Sequence, residues 1–261
     1  MIDKSESKNY KQKIEDHFDK QAYKGNLKDF IPNCLDDYSR NPFDYILNAY
    51  CKNLNDKIIL DYCCGTGINS VLLSKNGAKI VGIDFSKQSI NLAKKKFEKL
   101  NLKNYNFMEM DAHTLDFSDN YFDYIICYKS LLYLNLDKAF KELNRVLKKD
   151  GKLIILENIG DNFIFNYYRY FKHLLISKKY ASELNKIKIK DFNIAKKYFK
   201  CVDSSFFDFF MIFGKFIKDK FRINISHSFL KSLDKILLKN LKLYFLAFTV
   251  VKIYKKNSDE I

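Results

Sequence analysis

Residues 58–84, IILDYCCGTGINSVLLSKNGAKIVGID, read as strand, glycine turn, helix and second strand. The apolar run Ile58, Ile59, Leu60 stops at Asp61 and breaks into Cys63, Cys64, Gly65, Thr66 and Gly67. Ile68, Val71 and Leu72 then recur at helical spacing until Gly77, and a second apolar run, Ile80, Val81 and Ile83, ends at Asp84. The period thus passes from that of a buried strand to about 3.6 and back. Two strands joined by a helix imply a right-handed parallel unit. Ligands of such units sit at the carboxyl ends of the strands, where Asp61, the turn and Asp84 all fall.

That position dictates the chemistry. Gly65 and Gly67 let the backbone turn tightly and approach a ligand that a Cβ would obstruct. Asp84 can accept two hydrogen bonds from the paired hydroxyls of a ribose. Asp61 can accept from an ammonium or ribose group, or orient the amides of the loop. The stretch suits a nucleoside-bearing cofactor. A nicotinamide dinucleotide site wants G-x-G-x-x-G, and here Ser70 stands in place of the third glycine.

The stretch resembles motif I, with its following acidic residue, of the class I S-adenosylmethionine-dependent methyltransferases. Their pattern is an acidic residue, GxGxG, and an acidic residue ending the second strand. Cys63 stands where the first glycine usually sits, and a small side chain fits there if that residue keeps φ below zero. Downstream, a helix capped by Ser86 turns Ile90, Leu92, Ala93 and Phe97 inward, with Lys94, Lys95 and Lys96 as its solvated face. A third strand, 105–110, ends at Asp111-Ala112, and in the family an Asp before a small residue here bonds the adenine amino group. A fourth strand (121–128), a helix running to Gly151 and a fifth strand (152–157) resemble motifs II and III, so the likeness covers 57–158 continuously. The resemblance implies S-adenosyl-L-methionine as cofactor and S-adenosyl-L-homocysteine as product. It places Tyr23, Asp61, Cys63, Gly65, Thr66, Gly67, Asp84, Phe85, Asp111, Ala112 and Cys127 around the cofactor, Tyr23 through a cover segment, Phe18 to Tyr23.

The expected fold is α/β: a Rossmann-like, seven-stranded, mostly parallel sheet whose last strand is antiparallel. Cap helices occupy 1–55, one carrying Tyr10, Ile14 and Phe18, and another spanning 33–52 and restarting at Pro42. The cofactor-binding core is 56–160. Residues 161–261 form an aromatic, basic substrate region that returns strands six (202–210) and seven (244–254) to the sheet. Between these, Leu230, Leu233, Leu237 and Leu241 share one face of a basic amphipathic helix, a pattern fitting an anionic membrane surface or the protein's own core. Residues 161–261 hold 21 Lys+Arg and 9 Asp+Glu, a net of +12 (21 − 9), so of the total of +15 only +3 belongs to residues 1–160. Such a region suggests an anionic partner: phospholipid, phosphorylated substrate or nucleic acid. The alternative is the Lys, Asn, Ile, Phe and Tyr bias of an AT-rich genome, consistent with no Trp and only 2 Pro.

Six cysteines without CxxC spacing indicate neither a disulfide framework nor a metal site. The N-terminus lacks the apolar core of a secretion signal, and no stretch of about twenty residues is apolar throughout. A cytoplasmic protein is expected, with a peripheral place at the inner membrane surface as the corollary of its basic region. Around the acceptor, Tyr128, Lys129, Tyr133, Glu157, Tyr168 and His173 are candidates, and no catalytic base is assigned. The segment after strand four, Cys127-Tyr128-Lys129-Ser130, lacks the (D/N)PP(Y/F) that exocyclic amine methylation uses. Cys127 also lacks the proline setting of a pyrimidine C5 nucleophile. A small-molecule, lipid-linked or carbohydrate acceptor remains, methylated on a hydroxyl. The alternatives are an RNA methyltransferase or RNA-binding protein using the basic region, and a non-catalytic S-adenosylmethionine-binding protein.

Overall fold

A computed structural model describes residues 37–167 and 186–257. The cover segment with Tyr23, the first expected helix, and Tyr168 and His173 lie outside the described residues.

Seven strands form one sheet in the order β3-β2-β1-β4-β5-β7-β6. They are β1 (Ile58–Tyr62), β2 (Lys79–Asp84), β3 (Tyr105–Glu109), β4 (Phe122–Tyr128), β5 (Leu147–Asn158), β6 (Phe199–Phe207) and β7 (Thr249–Lys256). The pairs from β3 through β5 are parallel, and β7 runs antiparallel between β5 and β6. Among the described residues six α-helices accompany them: α1 (Asp37–Tyr50), α2 (Ile68–Lys75), α3 (Lys87–Lys99), α4 (Leu136–Val146), α5 (Phe209–Phe221) and α6 (His227–Asp234). Alternate residues of the central strands enter opposite cores, as the pleat requires. Leu60, Ile125 and Leu153 pack with Phe140 and Leu143 of α4. Ile59, Ile126 and Ile154 pack with Phe43 of α1, Val71 of α2 and Phe97 of α3.

Several boundaries differ from the sequence reading. Helix α1 passes through Pro42 as one element rather than restarting there. Helix α4 ends at Val146, not at Gly151, because the carbonyls of Arg145 and Val146 accept from the amides of Asn120 and Tyr121. The carbonyls at the helix end are thereby satisfied by the chain leading into β4, and Leu147 is free to pair with Phe122. Strand β6 lies three residues earlier than expected because Asp208 takes a left-handed φ of 73° and ends it. The 244–246 stretch forms a turn of 3-10 helix before β7 begins.

The expected leucine stripe is also rearranged. Helix α6 is followed by a π-helical turn, Lys235–Asn240, which adds a residue to the turn and moves the inward face. Leu230, Asp234 and Leu238 are buried, whereas Leu241 is 60% exposed. The apolar face of this helix belongs to the protein's own core.

Asp208 and Asp234 meet where β6 passes into α5. Asp234 accepts from the amide of Phe210 at 2.7 Å, capping α5, while the Oδ1 of Asp208 has no hydrogen-bond partner among the described residues and both residues are buried. Burial, with the charge of Asp234 adding to it, raises the Asp208 carboxyl from 3.8 to about 7. The native state therefore binds the proton more tightly than the unfolded chain. The stability this confers is complete below pH 3.8 and is lost as pH rises through about 7. Asp208→Asn, which mimics the protonated acid, is expected to raise thermal stability by on the order of 1–2 kcal/mol at about pH 8 and much less at about pH 4. Melting curves of both proteins across that range check this; equal gains at the two pH values contradict it.

Candidate active site

The carboxyl ends of β1, β2 and β4 converge on the glycine turn. Cys63, Gly65 and Gly67 all adopt left-handed φ, at 58°, 52° and 69°. Cys63 thus departs from the negative φ expected of a side chain at the first glycine position. An L-residue there carries roughly 1–2 kcal/mol of strain, which the surrounding turn sustains. The amide of Cys64 donates to the Ile83 carbonyl at 2.8 Å, and that of Gly67 to the Cys64 carbonyl at 3.0 Å. A Cβ built on Gly65 would meet nothing within 4 Å among the described residues, so the turn presents bare backbone to open space there. Gly67 faces the other way: its Cβ would stand 3.0 Å from Ala93 and 3.3 Å from Phe107.

Asp84 ends β2 beside this turn and organises it. Its Oδ2 accepts from the Gly65 amide and its Oδ1 from the Ser86 amide, each at 2.9 Å. These bonds fix the orientation of the carboxylate at the end of β2. Ser86 caps α3, accepting from the Ser89 amide at 3.0 Å. Asp61 lies deeper. It is 1% exposed and accepts from the Ser70 hydroxyl in the first turn of α2. Burial raises its pKa from 3.8 to about 6, opposed by the Ser70 hydrogen bond. Of the roles the sequence left open for Asp61, this geometry fits support of the loop.

Asp111 and Ala112 follow β3 on the same edge. The Tyr62 hydroxyl donates to the Ala112 carbonyl at 2.6 Å, tying this segment to β1. His113 receives the Asn135 amide on Nε2 at 3.0 Å, so its proton is on Nδ1, 2.7 Å from the Asp111 Oδ1. The imidazole is thereby fixed as an orienting group for Asp111.

Cys127 is fully buried, with its Sγ 3.0 Å from the Ser130 hydroxyl, so only its backbone reaches the edge. Burial pushes the thiols of Cys63, Cys64 and Cys127 well above the ordinary range, which keeps them protonated. Among the described residues, no three His, Cys, Asp or Glu side chains are grouped to hold a metal.

The acceptor candidates divide. Tyr128 packs edge-on against Phe43, and Lys129, with a left-handed φ of 55°, carries its ammonium 4.9 Å from the Tyr128 ring centre. Tyr133, half-buried, closes the 3-10 turn that follows. Glu157 is 3% exposed and accepts from the amides of Ser130 and Leu131 at 2.7 and 2.8 Å. Burial raises its pKa from 4.5 to about 7, while the two amides and the charges of Lys129 and Lys186 pull the other way. It holds the loop after β4 in place. Beyond β5, a cleft of about 800 Å³ is lined by Gly160, Phe163, Ile164, Tyr167, Lys186 and Lys188, among others.

Sequence reasoning missed Lys96. It belongs to a run taken as a solvated face, yet it is 4% exposed and donates to the Thr66 carbonyl at 2.7 Å. A buried ammonium needs such partners, and this one anchors α3 to the turn. Its place three residues after Ala93, on the inward face, was the available signal.

Residues 59–151 match the family model described as methyltransferase domain. The demethylmenaquinone methyltransferase of Bacillus cereus (strain ATCC 10987 / NRS 248) is 35% identical over 123 residues, covering 44% of this chain and 52% of the relative. The chain thus spans about half the length of the curated relatives it matches. The PH0226 protein from Pyrococcus horikoshii OT3 shares the fold at a TM-score of 0.57 and 22% identity, over 84% of this chain and 88% of that one. A geranyl diphosphate C-methyltransferase from Streptomyces coelicolor A3(2), solved with Mg2+, geranyl diphosphate and S-adenosyl-L-homocysteine, does so at 0.59 and 12%, over 83% and 79%.

Proposed function

We propose that this chain, whose core is a class I S-adenosylmethionine-dependent methyltransferase domain, uses that cofactor to methylate a small molecule. The observation that carries the reading is the pairing of the bare Gly65 turn with the Asp84 carboxylate that fixes it. Asp84 would hold the ribose hydroxyls, the Gly65–Gly67 backbone would approach the amino-acid portion, and Asp111 with Ala112 would meet the adenine. S-adenosylmethionine supplies a methyl group on a positively charged sulfur, open to in-line displacement. The chain's own contribution is alignment and exclusion of water, which can supply about 7–11 kcal/mol of a displacement barrier.

The acceptor reading rests on the end of β5. The cleft there joins apolar walls to Lys186 and Lys188, and Lys186 lies close enough to lower the Glu157 pKa. An apolar or aromatic body carrying an anionic group and a hydroxyl suits such a cleft. With Glu157 held by two amides, no base is assigned, and an acceptor hydroxyl acidified by its own ring needs none.

Calorimetric titration with S-adenosylmethionine and S-adenosylhomocysteine tests the first half. Micromolar binding is expected, and a folded protein that binds neither, with or without candidate acceptors, sinks the proposal. Transfer of a labelled methyl to a panel of phenolic, quinol, lipid-linked and carbohydrate compounds tests the second.

A further inference from the structure

Helices α5 and α6 form a hairpin whose base and tip differ sharply in surroundings. At the base, Asp234 accepts from the Phe210 amide and Met211 packs against Leu230 in a small buried cluster. The tip is the end of α5 and the link 222–226. A helix the length of α5 carries it about 18 Å from the base. Of the thirteen exposed large hydrophobic side chains among the described residues, nine lie between 213 and 245. The tip holds two of the most exposed, Phe221 at 58% and Ile223 at 57%, and Phe229, also at 57%, stands in the first turn of α6. Among the described residues none of these three side chains packs against a buried cluster.

Charge is interleaved with these side chains. The segment 215–231 contains Lys215, Lys218, Lys220, Arg222 and Lys231 against one acid, Asp219. The Lys220 ammonium lies 5.6 Å from the ring centres of both Phe216 and Phe221, so one cation sits among exposed aromatics. Arg222, in left-handed conformation at φ 57°, turns the chain between Phe221 and Ile223. Aromatic and aliphatic side chains flanked by Lys and Arg suit the boundary between acyl chains and anionic headgroups. A protein partner would be expected to bring acids for the cations and pockets for the rings. A bilayer meets both demands at once without either.

We propose that the α5–α6 tip is a membrane-docking element that inserts Phe221, Ile223 and Phe229 into the surface of an anionic lipid bilayer, with Lys220 and Arg222 against the headgroups. This site differs from the amphipathic helix expected from the leucine stripe, whose apolar side is already used inside the protein. It also shares no residue with the Gly65 turn, so the inference does not depend on the methyltransferase reading.

The test is flotation of the full chain with phosphatidylcholine vesicles, with and without phosphatidylglycerol. Wild type is expected to float with the anionic vesicles and to fall off as salt rises. Phe221→Ser/Ile223→Ser and Lys220→Glu/Arg222→Glu are each expected to weaken vesicle binding at least about tenfold. Both double variants should keep the wild-type circular dichroism and S-adenosylhomocysteine binding, since neither touches the turn. Wild type that stays unbound with anionic vesicles overturns the proposal. So does flotation that both folded variants retain, or binding to RNA of a protein that ignores vesicles.

Discussion

Asp84→Ala is expected to weaken S-adenosylhomocysteine binding at least about a hundredfold, because hydrogen bonds to a charged group contribute roughly 1.5–3 kcal/mol each. Two such bonds to a ribose would be lost together. A second loss compounds the first: the Gly65 and Ser86 amides give up the carboxylate that holds them at 2.9 Å. The turn would then sample conformations in which bare backbone no longer faces the ligand. Asp84→Asn separates the two effects. The amide oxygen can still accept from one backbone amide, so Asn should fold like wild type and bind better than Ala, though far worse than Asp. Calorimetry on the three proteins decides it. An Ala variant that binds within threefold of wild type would remove Asp84 from the site and take the cofactor assignment with it.

The largest effect on stability is expected at Phe107, where Phe107→Ala should cost about 3–5 kcal/mol. The ring is 1% exposed and packs against both Phe97 and Tyr105, 4.9 and 5.6 Å from their centres. It also fills the space left by two glycines. A Cβ on Gly82 would fall 2.4 Å from this ring, and one on Gly67 would fall 3.3 Å from it. Removing the ring opens a cavity directly under the turn, so cofactor affinity should fall along with the melting temperature. Gly82→Ala alone overpacks the same spot and should cost about 1–3 kcal/mol. In the Phe107→Ala background the clash with the ring is gone and only the Cys64 Sγ, 3.0 Å from the added methyl, must give way, so the double variant should be less damaged than the sum by at least about 1 kcal/mol. Strict additivity in denaturant melts would show that the two residues do not share the space.

The core was legible because its signals are short-range. Runs such as Ile58 to Leu60 and Ile80 to Ile83, each closed by an acid and joined through glycines, admit few arrangements. What escaped was long-range. The end of α4 was set by amides of the chain before β4, which capture the Arg145 and Val146 carbonyls from more than twenty residues away. Lys96 reads as solvated in a lysine run and becomes an anchor only once Thr66, thirty residues earlier, is placed beneath it. The positive φ of Cys63 was invisible because nothing local demands it; the Ile83 carbonyl holds the next amide where that φ is needed. The leucine stripe failed through a single π-turn, which no hydrophobic period announces.

The placement of β7 has a consequence for how the molecule is made. Among the described strands β6 pairs only with β7, which follows it after two helices and a π-turn. During translation the ribosome therefore releases β1 to β5 as a set that can wind up in order, each strand finding a partner already present or next to come. Strand β6 then emerges with an open edge and must wait, together with the hairpin carried at its end, until the strand that bridges it to β5 has been synthesised. Non-local pairing of this kind is slow relative to the local winding before it. The nascent chain thus passes through a stage in which β1 to β5 are assembled while β6 and the α5–α6 hairpin still await the strand that docks them.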